Sequence, residues 1–246
     1  MKAIILAGGQ ATRLRPITHN LPKCLLKIGK KTIIDFQIET LQKNNIKDII
    51  IVTGFKAELL KEHIITNYSQ TDITFTFVFN EKYETTHAAH SLWSARDYLT
   101  DTTIYLNSDL ICDPMIIKSV IENKNDSVTA IQQNDWDEEE VNVITDENMN
   151  VVEIGKLIPE KLSKGEFIGA TKLSSSFLNK LIEVLNDMVQ KNDTKKFAVD
   201  AINNVIHSKG ENLYALDVSH YVAIEIDTIE DFEKGKKLWE QYEIKG

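Results

Sequence analysis

The chain has 246 residues, 42% hydrophobic and 26% charged, with a formal net charge of −9. That length and balance suit one globular domain spanning 1–246 rather than a disordered or fibrous chain. The acidic balance argues against nucleic acid or an anionic membrane surface as a partner, and no apolar run approaches the roughly 20 residues needed to cross a bilayer. Cys24 and Cys112 are isolated and lack metal-ligand spacing, so neither a disulfide nor a zinc site is expected. No signal-peptide pattern precedes the first strand, and a cytoplasmic location is the expectation.

Ile4-Ile5-Leu6 reads as a buried strand that ends in Ala7-Gly8-Gly9. A polar loop follows, carrying Arg13, Arg15, Pro16, Pro22 and Lys23. A polyphosphate site needs strand, glycine turn and cations in this order: glycines let backbone N–H groups approach the anion, and fixed positive side chains neutralise it. The plainer alternative is a strand-to-loop turn with solvated arginines. Ile33 to Gln42 has apolar residues at helical spacing, and 48–53 reads as a fully buried strand. A helix over Ala57 to Asn67, a strand over Ile73 to Phe79, a helix over His87 to Leu99 and a strand over Thr103 to Leu106 continue the alternation. Such βαβ repetition predicts an α/β fold, a Rossmann-like mostly parallel sheet covered by helices on both faces. Ligands in these sheets bind beyond the carboxyl ends of the strands, which places Gly8, Gly54, Asn80 and Asp109 near one rim.

Asp113-Pro114 opens a helix to Asn123, with Asp as N-cap and Pro at the first helical position. Beyond residue 125 the pattern changes to short strands at Ser127 to Ile131, Val141 to Ile144, Val151 to Ile154 and Phe167 to Lys172. These predict a small mixed region laid over the substrate end of the sheet. Helices over Ser174 to Lys191 and Lys196 to Ser208 and strands over Leu213 to Asp217 and Tyr221 to Ile226 follow. The last segment, Thr228 to Tyr242, is a helix with Thr228 as cap and Asp231 supporting it.

Two stretches carry candidate metal ligands. Asp109 follows a buried strand, where a carboxylate either binds a hard cation such as Mg²⁺ or serves a turn. Strand alternation puts Glu225 and Asp227 on one face, although Asp227 could instead cap the final helix. Pro22 aims Lys23, whose ammonium suits phosphate as a point charge and equally suits solvent. Trp136 stands among acidic residues ending at Glu140, a set that fits an ammonium group through cation–π attraction or is a solvated loop.

The run AGGQATRLRPITHNLPKCLLKIGKKTIID closely resembles the signature of the nucleotidyltransferase family that joins NTPs to phosphorylated small molecules. The family pattern has glycine where Ala11 stands. The resemblance covers nearly the whole chain and is strongest over 1–30 and 220–235. It implies a nucleotide-binding half, 1–125, and an acceptor- and metal-completing half, 126–246. By resemblance, Lys23 is the catalytic lysine, Arg13 contacts the β- and γ-phosphates, and YLNSDL and EIDTIEDFEKG supply Asp109 and Asp227 to Mg²⁺, with Glu225 beside them. Leu6, Ala7, Gly8, Gly9, Gly54, Asn80 and Thr86 complete the implied nucleotide site. His87 stands where related cytidylyltransferases often carry asparagine, and it reads with His90 as a helix-start or packing histidine rather than a metal ligand.

Stretches 152–156 and 165–169 look like those of the phosphocholine and 2-aminoethylphosphonate cytidylyltransferase branch. That branch implies an acceptor site of Trp136, Glu140, Lys156 and Asp200, although Lys156 and Asp200 also read as surface residues. The expectation is a Mg²⁺-dependent cytidylyltransferase joining CTP to a small phosphorylated or phosphonylated amine or ammonium compound, with release of pyrophosphate. A sugar-1-phosphate nucleotidyltransferase using UTP, dTTP or GTP shares the signature, and a non-catalytic nucleotide-binding regulatory subunit shares the fold. Homo-oligomerisation is left open.

Overall fold

The computed structural model describes residues 1–134 and 140–245, of which 240–245 are described by backbone alone. β1 (Lys2–Ala7) leads through the glycine turn to a small ribbon of β2 (Lys27–Ile28) and β3 (Lys31–Thr32). Next come α1 (Ile33–Lys43), β4 (Asp48–Thr53), α2 (Ala57–Tyr68), β5 (Thr74–Phe79), α3 (Ala88–Ser94) and β6 (Thr103–Asn107). β7 (Leu110–Cys112) and α4 (Pro114–Glu122) follow, then β8 (Val128–Gln132), β9 (Asn142–Thr145), β10 (Val151–Gly155) and β11 (Gly165–Leu173). α5 (Ser175–Gln190), α6 (Ala198–Lys209), β12 (Tyr214–Asp217), β13 (Ala223–Glu225) and α7 (Ile229–Lys245) close the chain.

The central strands run β5-β4-β1-β6, all parallel, with Ile5 registered between Ile51 and Leu106. Both faces of this sheet are buried, which is why β1 and β4 read as continuous apolar runs. Ile4, Ile50, Val52 and Tyr105 pack toward α3, α5 and α6. Ile5, Ile49, Ile51 and Leu106 pack toward α1, α2 and α4, meeting Ile38, Leu60 and Ile117. Each fully buried isoleucine contributes about 2–3 kcal/mol relative to exposure. Among the described residues no helix is long and apolar enough to cross a membrane.

Two expectations are corrected. The strands of the second half do not lie over the end of the sheet; they extend it sideways. β11 pairs antiparallel with β6 and also takes β8 and β9 as partners, so one sheet runs through both halves. Among the described residues two short ribbons stand apart from this sheet, β2–β3 and β7–β13. The expected helix to Leu99 instead ends at Ser94, followed by a 3₁₀ turn over Arg96–Tyr98. There the Arg96 guanidinium lies 4.1 Å from the Trp93 ring centre and donates to the Trp93 carbonyl at 3.1 Å, taking up a carbonyl at the end of α3.

The start of α1 is fixed by a reciprocal cap: Asp35 N–H donates to Thr32 Oγ1, and Thr32 N–H donates to Asp35 Oδ2 at 2.9 Å. The same carboxylate reaches α2, accepting from His63 Nε2 at 2.8 Å and the Tyr68 hydroxyl at 3.0 Å. Burial pushes the Asp35 carboxyl up, but the donors of His63 and Thr32 outweigh it and hold the group well below the usual carboxylate range. A depressed native pKa stabilises the fold above the unfolded value of about 3.9 and loses that contribution as pH falls below it. Asp35→Asn is therefore expected to cost roughly 2–3 kcal/mol at pH 7, with the difference beginning to narrow below about pH 4 and smaller at pH 3 than at pH 7. Urea unfolding at the two pH values checks this, and a difference that does not change with pH contradicts it.

Candidate active site

A cleft of about 1500 Å³ opens at the carboxyl ends of β1 and β6 and is walled on its other side by residues of the second half. At its floor the turn after β1 meets the turn after β4, where Phe55 N–H donates to the Gly8 carbonyl at 3.1 Å. A Cβ on Gly54 would stand 2.5 Å from Gly8 O and 2.6 Å from Tyr83 Cβ, so only glycine lets these turns touch. Gly9 has nothing within 4 Å of its would-be Cβ, leaving its backbone open to the cleft. Ala11 adopts the left-handed conformation, φ 47° and ψ 52°, and its carbonyl accepts from Thr18 Oγ1 at 2.8 Å. The turn that the family signature assigns to glycine is thus made here by alanine, at a steric cost.

A small separate core sets the charged side chains. Leu14, Ile111 and Ile226 pack with Leu26, Ile28, Ile33, Phe36 and Trp239, the last two ring centres 4.5 Å apart. Leu14 is the neighbour of Arg13, Ile226 is the neighbour of Asp227, and Ile111 lies two residues after Asp109. The final helix is capped by Thr228 and Asp231, with Thr228 N–H donating to Asp231 Oδ2 at 2.8 Å and Asp231 N–H to Thr228 Oγ1 at 3.2 Å. That pair leaves the Asp227 side chain free of capping duty.

Lys23 Nζ lies 2.5 Å from Asp109 Oδ2 and 2.7 Å from Asp227 Oδ1, bridging the two carboxylates. Arg13 donates to the other Asp227 oxygen, Oδ2, at 2.8 Å. Burial lowers the Lys23 pKa, but the two carboxylates outweigh it and hold the ammonium above its ordinary value. Asp227 feels burial in the opposite direction, and Lys23 and Arg13 together bring it below the usual range. Glu225 is pushed well above its ordinary value by burial and by the charge of Asp109. Its Oε1 accepts from Asn107 Nδ2 at 3.0 Å, and Asn107 Oδ1 accepts from the Tyr105 hydroxyl at 2.6 Å.

The second oxygen of Asp109, Oδ1, is buried without a hydrogen-bond partner among the described residues. An unspent carboxylate oxygen beside Asp227 and Glu225 is an all-oxygen donor set, which fits a hard cation such as Mg²⁺. Among the described residues no three acidic, His or Cys side chains form a ready-made metal cluster. Two carboxylates suffice for Mg²⁺, which usually completes its shell with water and substrate phosphates.

Of the residues expected at the nucleotide, Leu6, Ala7, Gly8, Gly9, Arg13, Lys23, Thr86 and Asp109 line the cleft, whereas Gly54 and Asn80 do not. Asn80 is 1% exposed and its amide is consumed locally, donating to Thr86 Oγ1 at 3.2 Å and Ser91 Oγ at 3.0 Å. It shapes the 80–91 loop from behind. On the acceptor side Glu140, Lys156, Asp200, Glu225 and Asp227 line the cleft, and Trp136 lies outside the described residues. Asp200 also accepts from Phe197 N–H at 2.7 Å at the start of α6. His87 sits at the N-cap of α3 with its ring 5.1 Å from that of Phe197, and His90 is buried against Trp93. Sequence reasoning missed Tyr105, Asn107, Glu166 and Phe197, all of which line the cleft. The period-2 face shared by Tyr105 and Asn107 with the loop bearing Asp109 was the available signal.

A glycine turn with two cations and a set of carboxylates at the carboxyl ends of a parallel sheet is the equipment of an NTP-using transferase. Residues 2–215 match the family described as Nucleotidyl transferase, and the chain belongs to that family of enzymes. It is 37% identical over 123 residues to a choline-phosphate cytidylyltransferase of Streptococcus pneumoniae, covering 50% of this chain and 49% of that one. It is 28% identical over 198 residues to a CTP:phosphoglutamine cytidylyltransferase of Campylobacter jejuni, covering 74% and 76%. A mannose-1-phosphate guanyltransferase of Yarrowia lipolytica is 28% identical over 244 residues, covering 97% of this chain and 64% of the relative. The match to the first relative thus spans about half of that protein's length. In fold, the chain is similar to the solved structure of the Streptococcus pneumoniae CTP:phosphocholine cytidylyltransferase, with TM-score 0.80 at 23% identity over 97% of this chain and 98% of that one.

Ala11→Gly is expected to stabilise the protein by about 0.5–1 kcal/mol, since relief of a left-handed alanine outweighs the extra unfolded-state entropy that glycine brings. Chemical denaturation reads the change, and a destabilised variant would show that the 11–18 turn is not strained at Ala11.

Proposed function

We propose that this nucleotidyltransferase is a cytidylyltransferase that joins CTP to a small phosphorylated or phosphonylated amine or ammonium compound and releases pyrophosphate. The observation that carries this reading is the division of charge in one cleft. Arg13 and Lys23 stand at the glycine turn, while the second half presents Glu140, Glu166 and Asp200, with Lys156 and Lys234 as the cations on that side. The first arrangement suits the triphosphate and the acceptor phosphate, and the carboxylates of the second suit a cationic group on the acceptor. The choice of CTP is supported by the choline-phosphate and phosphoglutamine cytidylyltransferases among the relatives.

In this reaction an acceptor phosphate oxygen attacks the α-phosphorus of CTP, the new P–O bond forms in line, and the α–β bridging P–O bond breaks with its electron pair leaving on pyrophosphate. A phosphate oxygen is already a competent nucleophile, so the enzyme's work is positioning and charge neutralisation rather than general base catalysis. Lys23 is placed to exchange its carboxylate partners for α-phosphate and acceptor oxygens. Arg13 is placed to take the developing charge of the leaving pyrophosphate. Asp109 and Asp227, with Glu225 adjacent, would hold Mg²⁺, which when bound supplies Lewis-acid neutralisation of the phosphates. Backbone N–H groups around Gly8 and Gly9 supply further donors to the anion.

A second reading, transfer to a hexose 1-phosphate from another NTP, is favoured by the mannose-1-phosphate guanyltransferase match over 97% of this chain. A panel of NTPs against phosphocholine, 2-aminoethylphosphonate, phosphorylated amino acids and hexose 1-phosphates, scored by pyrophosphate release, separates the two. Turnover restricted to CTP and an amine-bearing acceptor is expected; turnover of glucose 1-phosphate with no amine acceptor overturns it. Lys23→Ala and Asp109→Asn are each expected to lower kcat by about 100-fold or more if they stabilise the transition state. Unchanged turnover removes the residue from the mechanism. Trp136→Ala should raise KM for an ammonium acceptor while leaving the KM for CTP nearly unchanged, and equal effects on both exclude it from the acceptor site.

A further inference from the structure

The loop that carries Asp109 is supported from outside the cleft. Gln37, in the middle of α1, is 4% exposed and is absent from the cleft wall. Its side-chain amide nitrogen donates to the carbonyl of Asn107 at 2.6 Å and to that of Leu110 at 2.9 Å. Those two carbonyls bracket Ser108-Asp109, the turn between β6 and β7. A primary amide has two hydrogens, and here both are directed at the ends of one turn. The orientation is set by chemistry, because two carbonyl acceptors require the amide nitrogen to face them. Gln37 Oε1 is left buried without a partner among the described residues. An unpaired buried acceptor is unfavourable, and a leucine of similar size would avoid it while losing both donors.

The front of the same turn is also tied. The Asp109 carbonyl accepts from Ile226 N–H at 3.1 Å, the residue before Asp227, while Asp109 Oδ2 meets Lys23 at 2.5 Å. The turn is therefore clamped between α1 behind and the Asp227 segment in front.

We propose that Gln37 is a positioning residue for Asp109: its amide clamps both ends of the 107–110 turn and so fixes the carboxylate against Lys23 and Asp227. This rests on the reading of Asp109 as part of the catalytic set. A displaced carboxylate weakens transition-state neutralisation more than it weakens CTP binding, because CTP also meets the glycine turn and Arg13. The test is Gln37→Leu in the full chain, with the acceptor that turns over best. The expected result is a kcat lowered by about 10-fold or more with KM for CTP changed by less than about threefold. Mn²⁺ binding, followed by water-proton relaxation without acceptor, is expected to weaken by about fivefold or more, a readout that a merely structural role would not move.

Gln37→Glu is the companion variant, since it keeps the shape and can offer at most one hydrogen. It is expected to move both quantities in the same direction by a smaller factor. A folded Gln37→Leu protein, or Gln37→Glu if the first does not fold, with kcat and Mn²⁺ binding within about twofold of the parent overturns the proposal. Failure of both variants to fold overturns it too, making Gln37 a residue of folding rather than of positioning. Asp109→Asn separates the layers: if it leaves turnover intact, the reading of Asp109 fails; if it abolishes turnover while the Gln37 variants are normal, only this inference fails.

Discussion

The site depends on one ammonium held between two carboxylates. Asp109, Asp227 and Glu225 crowd the end of the sheet, and without a cation their mutual repulsion and burial would be unfavourable. Lys23 relieves this by bridging Asp109 and Asp227, and Arg13 adds a second positive charge on the far oxygen of Asp227. In a partly desolvated cleft such contacts are stronger than at a free surface, and removing one partner leaves the others uncompensated. Phosphate oxygens offer Lys23 and Arg13 the same kind of partner that the aspartates offer them. The site is accordingly poised to exchange one set of ion pairs for another.

The fold makes this possible by bringing distant segments to one point. Lys23 and Asp227 are 204 positions apart, and Lys23 and Asp109 are 86 apart. Parallel strands β1 and β6 are registered side by side, so the segments after them emerge together. The β7–β13 ribbon returns the last part of the chain to the same place, and the small core around Ile226, Leu14 and Trp239 pins it there. The Thr228–Asp231 cap matters for function because it starts α7 without using the Asp227 side chain.

Much of this was legible in the residues. The run over 48–53 and the periodicity of α1, α2 and α5 gave elements close to those observed, because apolar period follows directly from burial. The glycine turn, Lys23, Asp109 and Asp227 stood out through their resemblance to the family's motifs, since by position alone a plain turn, a solvated lysine and a helix cap were equally open readings. The placement of β8 to β11 was not legible, since a short strand carries no record of which edge it joins. Gly54 and Asn80 sit at strand ends, as expected, but packing rather than access decides what they do there. Gln37 was invisible for a related reason. A glutamine on an amphipathic helix reads as a polar surface residue until the carbonyls opposite it are known.

In the proposed reaction the acidic side chains assigned to the acceptor define a charge preference rather than a shape. The proposed transfer breaks the α–β bridging P–O bond of CTP and joins the α-phosphorus to the acceptor. Phosphorus-31 NMR of the enzyme with CTP and phosphocholine, followed in real time, tests it most directly. Loss of the three CTP resonances with matched growth of a diphosphate diester and pyrophosphate is the predicted result. Appearance of CDP with inorganic phosphate, or pyrophosphate with CMP and untouched phosphocholine, would contradict transfer to the acceptor.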